Sequence, residues 1–120
     1  MASHSTLRGI FLTSEDPAKT AQFYSEVAGL ELEQVGGKAN SYWKMDKGGM
    51  QLAIHSAKEF SAYTFPANSN SNLSHLYFKI DKQAAFTAHL ENLGIKPYAV
   101  DDVVVTVEDP DGRKVMFGIA

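Results

Sequence analysis

The chain has 120 residues, 44% of them apolar and 21% charged, with a formal net charge of −3. That length suits one domain with an ordinary core, and the composition argues against disorder. The slight acidity, with no stripe of Lys or Arg, argues against nucleic acid as a partner. Cysteine is absent, which removes disulfides, thiolate metal sites and thiol nucleophiles. No apolar run reaches the ~20 residues of a membrane span, and the N-terminus lacks a signal-peptide stretch. The expectation is a soluble, cytoplasmic domain with no membrane partner.

Leu7 to Thr13 is β-prone and mostly apolar, the pattern of a strand buried on both faces. Asp16 and Pro17 then open a helix, the first as a cap and the second at a position where its missing N–H does no harm. The helix is expected from Ala18 to Ala28, with Thr20, Phe23, Tyr24 and Val27 on its buried face and Gly29 ending it. A meander follows: strands over 30–35 and 41–45, with Gly36-Gly37 between them, then Met50 to His55 after Asp46-Lys47-Gly48-Gly49. The last of these alternates, with Met50, Leu52 and Ile54 on one face and Gln51, Ala53 and His55 on the other.

Residues 57–72 break the pattern. The polar run Asn68 to Asn72 reads as a linker, and Phe60, Tyr63 and Phe65 before it are either a lid over a pocket or a loop anchored on the core. After the linker the program restarts. His75 to Ile80 alternates as a strand, Asp81 opens a helix that buries Phe86, Leu90 and Leu93, and Gly94 ends it. A short strand begins near Ile95, Val103 to Glu108 is β-branched, and Asp109-Pro110-Asp111-Gly112 turns into a last strand over Lys114 to Ile119.

The two halves superimpose at an offset of 65: Asp16 falls on Asp81, Gly29 on Gly94, Leu30 on Ile95 and Gln51 on Met116. Residues 6–56 and 73–120 are therefore two copies of one βαβββ module within a single domain, 1–120. A lone module would leave a sheet face and an edge bare, so the copies are expected to pair. The fold class is α+β: tandem modules forming a curved mixed sheet, with helices on its convex side and a concave cup on the other.

Asp16 to Tyr24 with Gly29-Leu30, His75 to Asp81, and Asp109 to Gly112 before the final strand together resemble the vicinal oxygen chelate superfamily. That superfamily holds glyoxalase I, bleomycin-resistance proteins and extradiol dioxygenases. The resemblance implies paired βαβββ modules and a homodimer. In its metal-dependent members, ligands come from the first and last strands of each module. The corresponding positions here are Gly9, Gln51, His75 and Met116. Glycine has no donor, a carboxamide is a weak ligand, and a thioether suits hard metals poorly; only His75 matches.

The expected ligand-binding residues are Phe11, Trp43, Gln51, His55, His75, Tyr77 and Met116. Trp43, Tyr77 and Phe11 offer rigid aromatic area for stacking, or else belong to the core. His75 is either a ligand contact, a candidate acid or base, or a hydrogen-bonded histidine left from a metal-binding ancestor. The register of the strand carrying Trp43 is not fixed by sequence. The leading expectation is a metal-independent protein of the bleomycin-resistance (antibiotic-resistance) type, sequestering an aromatic or amphipathic molecule with no cofactor. The alternatives are a metal-dependent glyoxalase-like lyase, isomerase or dioxygenase with a rebuilt divalent-metal ligand set, and a cofactor-free enzyme using His75.

Overall fold

A computed structural model of the chain describes residues 7–36, 41–60 and 75–120. The first repeat folds as β1 (Gly9–Ser14), α1 (Pro17–Glu26), β2 (Glu33–Val35), β3 (Tyr42–Lys47) and β4 (Met50–Ser56), followed by a single turn of helix, α2 (Ala57–Phe60). The second folds as β5 (Tyr77–Lys79), α3 (Gln83–Asn92), β6 (Ala99–Val100), β7 (Val104–Glu108) and β8 (Lys114–Gly118). Each repeat makes one mixed four-stranded sheet, ordered β1-β4-β3-β2 and β5-β8-β7-β6. In each, the first strand runs parallel to the last and the meander is antiparallel. The class is α+β, and the βαβββ order recurs as the sequence predicts. Tyr63, Phe65 and the Asn68 to Asn72 linker lie outside the described residues, as does Gly37 of the first hairpin.

The compact units of the molecule are not the two repeats. Residues up to Ala21, with Glu31 through α2, form one unit; Gln22–Leu30 joins the residues from His75 onward in the other. Helix α1 thus lends its first turns to one unit and its last turns to the other.

In the first unit, Leu12, Ser14, Thr20, Ala21 and Ile54 are buried. Asp16 caps α1 by accepting the Lys19 N–H at 3.2 Å. The Ser14 hydroxyl lies 2.9 Å from that of Thr20 and accepts the Asp16 N–H at 3.1 Å, tying the strand to the first turn of the helix. This fixes which face of the sheet the helix covers: the one carrying Leu12, Ser14 and Ile54.

In the second unit, Tyr24 and Val27 of the α1 end segment are buried, as are Phe86, Leu90, Val105, Val107, Val115 and Phe117. The Phe86 and Phe78 rings stack on Phe117 at 4.5 and 5.3 Å. Among the described residues, Asp109 is the one charged side chain that is buried. Its Oδ1 accepts the N–H groups of Asp111 and Arg113, and its Oδ2 accepts the Tyr24 hydroxyl at 2.8 Å and the Arg113 guanidinium at 2.9 Å. A carboxylate taken out of water needs such a full set of donors. Burial, and then the Asp109 charge, push the Tyr24 phenol well above its ordinary range, so it stays a donor.

Several boundaries differ from the sequence reading for physical reasons. The strand after α1 begins at Glu33, not Leu30, because the Leu30 N–H closes the helix end by donating to the Tyr24 carbonyl at 3.1 Å. Helix α3 is not capped by Asp81. Lys82 holds the cap position in an extended conformation, with no side-chain bond. Its other end follows the expectation: Gly94 takes φ of 70°, and the Ile95 N–H reaches the Leu90 carbonyl at 2.9 Å.

Candidate functional site

The strand register decides which predicted residues meet. In the first sheet, Gly9 pairs with Gln51 and Gln51 with Asp46; Phe11 pairs with Ala53 and Ala53 with Lys44. Residues opposite one another on a ladder share a face. Phe11, Gln51 and His55 therefore stand together on the face turned away from the first turns of α1, joined by Tyr42, Lys44 and Asp46. Trp43 does not. It pairs with Ile54, which pairs with Leu12, and so it stands on the helix-covered face. The alternation Tyr42-Trp43-Lys44-Met45-Asp46 carries this signal, since Trp43 groups with Met45 and the two charges group together.

On the open face His55 lies between two rings. Tyr42 stacks on it at 4.6 Å and 18°, and Phe11 approaches at 5.3 Å, tilted by 53°. Burial lowers the His55 pKa below its ordinary value of 6.5, so the imidazole is neutral at pH 7. Phe11 remains 49% exposed, a large apolar surface on an otherwise polar-rimmed face.

Next to this cluster is a charge network that sequence reasoning missed, because its members are brought together only by register. Asp46 accepts hydrogen bonds from Lys44, from Arg8 at 3.3 Å and from the Gln51 carboxamide at 3.2 Å. Arg8 also donates to the Gly49 carbonyl at 3.1 Å, and Lys44 pairs with Glu33, its cross-strand neighbour, at 3.5 Å. The hydrogen bond from Lys44 holds the Asp46 carboxyl below the usual carboxylate range, and the same bond raises Lys44. Both shifts favour the charged forms of Lys44 and Asp46.

In the second sheet, Tyr77 rather than His75 is the register counterpart of Gly9. Tyr77 pairs with Met116 and Met116 with Thr106. The Tyr77 hydroxyl donates to the Ala120 carbonyl at 3.2 Å, and its ring passes over Gly118, where a Cβ would collide with it. His75 precedes β5 by two residues, which keeps it on the face of Tyr77. It is exposed, with Nδ1 3.4 Å from the Lys114 carbonyl.

Of the four positions that the resemblance aligns with metal ligands, only His75 carries a strong donor for a divalent ion. Gly9 offers no donor, and a Cβ there would collide with the Gln51 carbonyl. Gln51 turns its NH2 toward Asp46, which already holds two cations. Met116 supplies a thioether, and His75 a single imidazole nitrogen. A catalytic zinc takes three good protein ligands, and calcium or magnesium takes several oxygens.

Two mixed four-stranded sheets, each built in βαβββ order, define a member of the vicinal oxygen chelate superfamily. The family model described as Glyoxalase-like domain matches residues 9–117, and the chain belongs to that family. No curated protein matches the sequence. Among solved structures, a lactoylglutathione lyase from Agrobacterium tumefaciens is 21% identical, with 98% of this chain and 95% of that one covered and a TM-score of 0.66. TnmS3, an antibiotic binding protein from a Streptomyces species, is 17% identical over 98% of both chains, with a TM-score of 0.65. A glyoxalase/bleomycin resistance protein/dioxygenase from Nocardioides is 17% identical, covering 98% of this chain and 84% of its own, with a TM-score of 0.69. At these identities the likeness is one of fold, and a fold of this kind hosts many chemistries.

Proposed function

We propose that this protein binds a small, planar aromatic molecule on the open face of the first sheet without using a metal ion, in the manner of bleomycin-resistance proteins. The observation that carries this reading is the content of that face. Where a metal-dependent relative would present ligands, this chain presents Gly9 and a Gln51 already engaged by Asp46, with Arg8 and Lys44 converging on the same carboxylate. Asp46 is thereby already taken up by two resident cations. Beside them, Phe11 offers exposed ring area on a floor of Tyr42, His55 and buried Ala53, the mix of apolar wall and few polar groups that small-molecule sites use. The antibiotic binding described for one fold relative supports the same role.

The test is the metal content of protein purified without chelator, followed by titration with Mn, Ni and Zn, with native mass spectrometry on the same sample. The expected result is sub-stoichiometric metal, no tight site on titration, and an organic adduct on the intact chain. One tight equivalent of metal, lost in His75→Ala together with any turnover of a hemithioacetal, overturns the reading.

A further inference from the structure

We infer that Asp46 is a positioning residue that locks the Gln51 carboxamide with its carbonyl oxygen available, so that the site selects aromatic ligands carrying a hydrogen-bond donor, such as a phenol or an aromatic N–H. The inference rests on the aromatic-binding reading above and adds the ligand's chemical class.

A carboxamide has two faces, one that donates and one that accepts, and on an unrestrained Gln they interchange by rotation. Here they do not. An ionised carboxylate can only accept, so the group that Gln51 turns to Asp46 must be its NH2, and the 3.2 Å contact runs from Nε2 to Oδ1. Asp46 is kept ionised by its neighbours: Lys44 bonds its Oδ2, and Arg8 reaches its Oδ1 at 3.3 Å. With Nε2 engaged, Oε1 is directed elsewhere, and no donor among the described residues is bonded to it. The site therefore offers a ligand an acceptor of fixed orientation.

Placement agrees with this use. Gly9 is the residue opposite Gln51, and Phe11 lies two residues further along β1 on the same face, ~6.6 Å by the strand rise. Gly9 adds no side chain of its own between the exposed Phe11 ring and Gln51. A two-ring aromatic lying on Phe11 spans that distance and brings a ring substituent to Gln51. The charges of the network are matched, Arg8 and Lys44 against Asp46 and Glu33. Nothing in it calls for a charged ligand, and a neutral donor is the complement of a lone carbonyl oxygen.

The probes are 2-naphthol and 2-methoxynaphthalene, which share the ring system and differ in the donated proton. Binding of each to the full chain is measured by calorimetry. Wild type is expected to prefer 2-naphthol by about fivefold to tenfold, the usual yield of one neutral hydrogen bond. In Gln51→Leu the preference falls to about one. Asp46→Asn, which retains Gln51 but no longer dictates its orientation, loses most of the preference. The ratio is the readout, because a merely structural role for Asp46 would weaken both probes alike. Equal binding of the two probes to wild type, or a preference kept in Gln51→Leu, overturns the inference and leaves the aromatic-binding reading standing. Failure of both probes to bind wild type overturns that reading and this inference with it.

Discussion

Replacing Tyr24 by Phe removes one oxygen from a buried polar cluster of the second unit. The ring stays, so no cavity of consequence opens, and the change isolates the hydrogen bond to Asp109. That carboxylate has no exposed side-chain surface and uses four donors: two backbone N–H groups on Oδ1, and Tyr24 and Arg113 on Oδ2. A hydrogen bond to a buried charge contributes ~1.5–3 kcal/mol. Three donors survive the substitution, so we expect a loss near the lower end, about 2 kcal/mol at pH 7. Urea denaturation should show it as a lower midpoint at unchanged slope. The alkaline limb provides a second signature. The folded pKa of Tyr24 is raised above the ordinary value near 10, so the stability it contributes is complete below pH 10 and declines as pH rises beyond it. Between pH 8 and pH 11 the gap between wild type and Tyr24→Phe should therefore shrink by about 1.4 kcal/mol, because only wild type has this phenol to ionise on unfolding. A loss below about 0.5 kcal/mol at pH 7, or a gap that stays constant through pH 11, refutes the cluster as the anchor of this unit.

Two glycine substitutions should separate by what their new methyl group meets. Gly9→Ala drives a Cβ into the Gln51 backbone carbonyl, which cannot swing away, and should cost ~3 kcal/mol or more in chemical denaturation. Gly118→Ala meets only the end of the Tyr77 side chain. It should displace that ring, break the bond to Ala120 and cost ~1 kcal/mol, with no further cost in the Tyr77→Ala background; the reverse order of the two costs would refute the close approach at Gly9. His55 should titrate in NMR with a midpoint below 6.5. Because its folded pKa is depressed, its contribution is present above pH 6.5 and is lost as pH falls, so acid titration should destabilise wild type more than His55→Phe.

The fold was largely legible because its signals are local. Asp16 with Pro17, the Thr20-Phe23-Tyr24-Val27 face, Gly29 and Gly94, and the Asp109 to Gly112 turn each fix a short stretch of backbone with no help from the rest of the chain. What the sequence withheld depends on register. Trp43 falls on the helix side because β3 pairs Trp43 with Ile54, and Tyr77 rather than His75 pairs with Met116 because the strand-to-helix connection differs in length between the repeats. The Arg8–Asp46 and Tyr24–Asp109 partners are 38 and 85 residues apart, beyond any spacing rule. The missing cap at Asp81 is a different case: the side chain is of the right type, but helix α3 starts one residue too late for it to serve.

The division of α1 between the two units bears on how such a protein can be cut or inherited. A break in the 61–74 stretch yields an N-terminal piece that carries Tyr24 and Val27 but lacks Phe78 and Asp109, the groups Tyr24 touches. The C-terminal piece keeps Asp109 and loses the phenol that satisfies it. Neither half is a finished module on its own terms; each is the other's missing part. The pieces should recombine when mixed rather than fold side by side, and a shuffled chain that takes one repeat without its neighbour's helix end would inherit a hole in its core.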